Sequence, residues 1–217
     1  PPLFTETPTT EINTCLVVGS VDVYKRQLIL LGAAPLSSFT EGTDAAQTCD
    51  RLYPDFRDSL LSRYPWSWTY KKIQLAQLGT APLNEFEHAY QLPGDMLSGV
   101  QAVFETTATN QSPLNDGWEI YGEQLFTDLD TVYIDYQTTI DESKMPNYFV
   151  QLLRTGFAAE IAITITDQAT KADYFRGLAY GTPSENGRGG LFREAVNIDS
   201  RGRLPQIIED YALIAVR

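Results

Sequence analysis

Residues that carry chemistry are scarce in this chain. It holds one histidine, His88, and two cysteines, Cys15 and Cys49, among 217 residues. That set cannot build a zinc centre at any standard ligand spacing, so no metal site is expected. A nucleophile–histidine–acid triad would have to use His88, and no G-x-S-x-G elbow is present. His88 lies in a strand-like run between Glu87 and Tyr90, where a lone histidine is more often structural. The two cysteines make no framework of the secreted type and read as small buried apolar residues. Phosphate loops are missing too: Gly187, Gly189 and Gly190 follow no strand and precede no Lys-Ser/Thr pair, so SENGRGG is expected to be a flexible loop. No cofactor is implied.

Positive charge is also in short supply. Sixteen Lys and Arg against 28 Asp and Glu give a formal net charge of −12. This argues against a general nucleic-acid binder, which needs a basic face to displace counterions. It also argues against docking on anionic lipid. The deficit is uneven, because residues 185–217 hold five Arg and five acids and are neutral. A neutral tail on an acidic body points to two surfaces with different tasks. The start PPLFTETPTTE has no basic region leading into an apolar run, so no signal peptide is expected. The most apolar stretch, Cys15 to Ala34, contains Asp22, Lys25 and Arg26 and is not read as a membrane span.

What is present is a folding composition, 43% hydrophobic and 12% aromatic, which is too apolar for disorder. Residues 1–10 read as a loose arm and 11–34 as a helix. A second helix is expected from Thr43 or Asp44, with Asp44 and Gln47 at capping-box spacing. Cys49, Leu52, Tyr53, Phe56, Leu60 and Tyr64 then recur at steps of three and four, one apolar stripe. Pro54 should kink or break this helix, and Pro65 should end it.

From Trp66 to about Ile140 short runs rich in Tyr, Val, Phe and Thr alternate with turn residues. These predict an antiparallel sheet folded into a small sandwich or open barrel, with Asn115-Asp116-Gly117 as a turn and Gly122-Glu123 as a tight hairpin. Helix returns at Pro146, expected in a first helical turn. Phe149, Leu152, Leu153, Phe157 and Ile161 form its stripe, and Gly156, Ala158 and Ala159 would permit close helix contact. A further helix is expected from about Asp167, using Ala172, Phe175, Leu178 and Ala179, with Gly181, Thr182 and Pro183 as its stop. A short helix, LFREAVNI, precedes a tail.

The order helices, strands, helices predicts an α+β fold. Its divisions are 1–65 for the arm and first helices, 66–142 for an inserted antiparallel β domain, 143–183 for the later helices, and 184–217 for loop, short helix and tail. The first and last helical parts should pack as one bundle. Tyr64, Trp66 and Trp68 cluster where the second helix meets the first strand. They read as a hydrophobic hinge between bundle and sheet rather than a stacking platform for single strands. The carboxylates Glu85, Glu87, Asp116 and Glu119 could be paired as in a glycosidase, but their surroundings are polar and turn-like. No catalytic residue is assigned.

Several strings, in order, carry a resemblance. TTEIN followed by LILLGAAPLSSFTEGTDAAQTCDRLYPDFRDSLLSRYPWSWTYKK, then AYQLPGDML, WEIYGEQLFTD, VYIDY and PNYFVQLLRTGFAAEIAITITD, cover most of residues 9–180. Together they resemble head-to-tail adaptors of short-tailed phages, the tail tubular protein A family. Residues 16–27, LVVGSVDVYKRQ, depart from that pattern by interrupting TTEINTC–LILLGA, and resemble a recurrent contaminant of translated sequence assemblies.

The resemblance implies a non-enzymatic structural protein of the virion neck, assembled in the host cytoplasm. It would form a dodecameric homo-oligomer between the portal protein and the tail nozzle protein. Genomic double-stranded DNA would pass its acidic lumen without specific binding, and no membrane would be involved. Leu204, Ile207, Ile208, Tyr211, Leu213, Ile214 and Arg217, being too apolar for a free tail, would then form a tail docking on the portal, with folding back on its own bundle or on the adjacent subunit as the alternative. A neck protein that hydrolyses peptidoglycan with a carboxylate pair is the alternative.

Overall fold

The computed structural model describes residues 30–32, 42–80, 82–108 and 111–202. Cys15, most of the expected first helix, the 16–27 string and the tail residues Leu204 to Arg217 lie outside them. The fold is α+β, and the described residues form four helices and two antiparallel sheets.

Helix α1 spans Asp44–Ser62. Thr43 stands in extended conformation before it, and its Oγ1 accepts a hydrogen bond from the Ala46 N–H at 3.2 Å. The cap is therefore Thr43. Asp44 sits in the first turn, where its charge suits the helix dipole, and the expected Asp44–Gln47 box is not the cap. Pro54 does not break α1, which continues through it. Pro54 and Asp50 are both exposed, so water can take the carbonyl that the proline leaves free. Tyr53, Leu60 and Leu61 hold the helix to the core, whereas Leu52 of the expected stripe faces out.

The β unit follows a single 3-10 turn, Ser67–Thr69. Its strands are β1 (Tyr70–Gln74), β2 (Ala76–Gln77), β3 (His88–Gln91), β4 (Ala102–Phe104), β5 (Trp118–Tyr121), β6 (Gln124–Thr127) and β7 (Tyr133–Gln137). They form a three-stranded sheet, β1-β7-β4, and a four-stranded sheet, β2-β3-β6-β5. Gly122 has φ 60°, the left-handed value a two-residue hairpin between β5 and β6 requires. Val103, Ile134 and Tyr136 of one sheet share a core with Tyr90 and Leu125 of the other, so the unit is a small sandwich.

Helix α2 is Asn147–Thr166. Pro146 stands at its N-cap rather than inside its first turn, and its carbonyl accepts from the N–H groups of Phe149 and Val150. The whole expected stripe, Phe149, Leu152, Leu153, Phe157 and Ile161, is buried. Each such side chain contributes roughly 1.5–3 kcal/mol by leaving water. By length and a hydropathy of 1.2, α2 could cross a bilayer, yet it is the central core helix of this fold. Asp167 ends α2 in the left-handed conformation (φ 54°) instead of starting the next helix. Helix α3 therefore runs Ala169–Tyr180, with Leu178 exposed rather than packed.

Helix α4, Gly190–Arg201, is longer than the expected LFREAVNI. Residues of α1, α2, α3 and α4 join one buried cluster, with Leu31 before α1, and Trp66 belongs to it too. The β sandwich is thus inserted between α1 and α2 of a single helical unit.

Candidate functional site

Two features carry the candidate chemistry: the junction between helices and sandwich, and a groove on the helical side. At the junction Trp66 is fully buried, with ring centroids 4.9 Å from Tyr64, 5.0 Å from Phe149 and 6.0 Å from Phe192. Trp68 is half-buried and stacks edge-on to Phe149 at 4.9 Å. The covered faces of Trp66 leave no platform on which a base could stack.

Polar side chains stitch the same seam. Gln137 of β7 is buried and donates from Nε2 to the carbonyls of Leu61 (2.7 Å) and Tyr64 (3.0 Å), tying the sandwich to the end of α1. Asp199, in the last turn of α4, is only 4% exposed. Its carboxylate accepts from the Ser67 N–H (3.1 Å), the Ser67 hydroxyl (2.8 Å) and the Tyr148 hydroxyl (2.9 Å). Burial, then the bond to Asp199, pushes the Tyr148 phenol up to about 12. One carboxylate so joins α4, α2 and the first turn of the β unit. Arg57 of α1 adds an ion pair to Glu142, at 3.3 Å, just before α2.

The groove lies between α1, α3 and the turn that follows α3. It is open and holds about 1300 Å³. Leu52, Phe56, Tyr174 and Leu178 supply its apolar walls, and Asp55, Arg63, Glu160, Asp173, Arg176 and Glu185 its charge, which is net acidic. The Arg63 guanidinium sits 4.8 Å over the Tyr180 ring. The Tyr180 hydroxyl is buried and has no hydrogen-bond partner among the described residues. Burial raises its pKa. Close approach is possible here because of Gly156, where a Cβ would come within 2.7 Å of that hydroxyl and 2.9 Å of Phe56.

The far wall corrects an expectation. SENGRGG is not a flexible loop. Thr182 and Glu185 form a capping box around a 3-10 turn, Pro183–Glu185. The Thr182 N–H donates to the Glu185 carboxylate at 2.8 Å and is the main cause of its lowered pKa. The Gly189 N–H closes the turn on the Tyr180 carbonyl at 2.9 Å. Gly190 has φ 53°, and a Cβ there would lie 2.4 Å from the Leu178 carbonyl oxygen. Gly189 and Gly190 are present because the turn is tight. T-P-S-E was the sequence signal that could have shown this.

The remaining chemical candidates are dispersed. His88 of β3 meets Gln77 Nε2 through Nδ1 at 2.8 Å and Asp130 through Nε2 at 3.2 Å. Glu85, Glu87, Asp116 and Glu119 are all exposed. Glu119 accepts a hydrogen bond from Tyr121, and the Glu87 N–H donates to Asp128. Cys49 is a buried free thiol whose pKa burial raises to about 11. Among the described residues no group of three or more His, Cys, Asp or Glu side chains could hold a metal ion. No protein-family model matches the chain, and no curated protein matches it.

Proposed function

We propose that this protein is a structural adaptor of the tail tubular protein A type, joining the portal of a short-tailed phage to its tail nozzle. The reading rests on the ordered series of strings set out above. The observation that best agrees with them is architectural: a β sandwich inserted between the first and later helices of one helical unit. In this role the helical units stand side by side in a dodecameric ring and the sandwiches point towards the nozzle. Tyr64, Trp66 and Trp68 with Asp199 hold the angle between the two parts. The segment Leu204 to Arg217 docks on the portal or on a neighbouring copy.

The charge of −12 suits a lumen that double-stranded DNA must cross without sticking, since a surface poor in Lys and Arg releases no counterions on contact. A hydrolase role finds little support in four carboxylates that are all exposed.

The test mixes the purified protein with the portal ring from the same genome and images the product by electron microscopy. A twelve-fold ring stacked under the portal is the expected result. A folded protein that fails to associate with the portal would remove the adaptor reading.

A further inference from the structure

Three large apolar side chains open onto one groove: Leu52 is 37% exposed, Tyr174 63% and Leu178 44%. Scattered exposed residues need no explanation, but a convergent set marks a binding surface. We propose that this groove is the docking site of the chain's own segment 204–214, folded back within the same molecule.

The chemistry of that segment fits. Leu204, Ile207, Ile208, Tyr211 and Ile214 recur at steps of three and four, one apolar face of a helix. An amphipathic helix laid into an apolar groove is a standard mode of peptide recognition. The described chain sets the distance that the segment must cover. Helix α4 begins at Gly190, which lines the groove, and ends at Arg201. Its twelve residues span about 18 Å. A helix of eleven residues, 204–214, covers about 16 Å on the way back.

The return path is also marked. The outer face of α4 carries a shallow depression lined by Arg193, Glu194, Asn197, Ile198 and Arg201, which shares Gly190 with the main groove. Ile198 is 36% exposed there and offers a seat for Ile207 or Ile208. Arg193 and Arg201, with Glu194 between them, give that depression one net positive charge, opposite in sign to the acid pair Glu209 and Asp210 of the segment. A tethered segment reaches its site at an effective concentration in the millimolar range, well above that of a second copy in dilute solution. Fold-back is independent of the adaptor role. It covers the groove in the free chain, whatever partner later takes the segment.

Amide hydrogen exchange on the full chain tests this, read by mass spectrometry at two protein concentrations. Residues 204–214 should exchange about tenfold or more slower than an unstructured segment, equally at both concentrations. Leu178→Lys and Ile208→Asp, one on each side of the contact, should each remove that protection while α2 keeps its own. Fast exchange over 204–214 in the wild-type chain would overturn the proposal. So would protection that survives both substitutions, or that disappears on dilution and thereby assigns the groove to a second copy. Deprotection of residues 1–29 by Leu178→Lys, with 204–214 unchanged, would equally overturn it by making the N-terminal arm the occupant.

Discussion

Asp199 and Ser67 lie 132 residues apart in sequence, and two hydrogen bonds of 3.1 and 2.8 Å join them at the seam between helices and sandwich. A carboxylate in the last turn of a helix opposes the helix dipole, so α4 alone gains nothing from it. Its stabilising effect comes from the Ser67 and Tyr148 donors. Asp199→Ala leaves these without their acceptor and should cost about 2–4 kcal/mol in urea unfolding. Ser67→Ala should cost about 1 kcal/mol, and the double variant less than the sum of the two. Strict additivity in that cycle would show that the two residues are not coupled.

Gly190 separates a packed turn from a loose one. With φ 53° and the Leu178 carbonyl oxygen 2.4 Å from its missing Cβ, Gly190→Ala should cost about 2–4 kcal/mol. Gly187 also has a positive φ, 72°, but nothing within 4 Å, and Gly187→Ala should cost only about 1 kcal/mol. Thermal unfolding of the two variants distinguishes them. Equal, small losses would mean the 182–190 turn does not hold this geometry in solution.

Patterns confined to one element were legible in the sequence. The α2 stripe from Phe149 to Ile161 is buried as its spacing predicts, and the seven strands all lie within the expected β stretch from Trp66 to Ile140. Features that depend on distant partners were not legible. Leu52 and Leu178 fit helical stripes, yet α1 and α3 leave them on a groove wall, because burial is decided by which helix lies opposite. Gly-rich 187–190 reads as a linker from composition, and only the neighbouring Tyr180 and Leu178 carbonyls make it a tight turn. The aromatic cluster at Trp66 could be located from sequence. Asp199 could not, since nothing local sets it apart from other surface acids.

Tyr180 carries a hydroxyl that burial penalises without a compensating bond among the described residues. Tyr180→Phe removes the polar atom and keeps the ring under Arg63. The variant should be as stable as the wild type or up to about 1 kcal/mol more stable, because a buried unsatisfied group costs free energy. A loss above about 1 kcal/mol in chemical unfolding would reveal a partner for the hydroxyl.

Asp95 is held by three side chains of the sandwich: the Tyr136 hydroxyl donates at 2.9 Å, the Thr138 hydroxyl at 3.1 Å, and Lys71 pairs at 3.2 Å. These lower its pKa, with the Tyr136 bond the leading cause. A depressed folded-state pKa contributes stability above the unfolded value of about 3.9. That contribution is lost as pH falls through the lower, folded midpoint. Asp95 is half exposed, so the effect on global stability is small and is best read at the residue. A carbon-detected NMR titration should place its midpoint below the ordinary aspartate range. Tyr136→Phe and Lys71→Gln should each raise that midpoint, and added salt should weaken only the Lys71 share. A larger response to Lys71→Gln would mean that the ion pair, not the tyrosine, sets the charge state of Asp95.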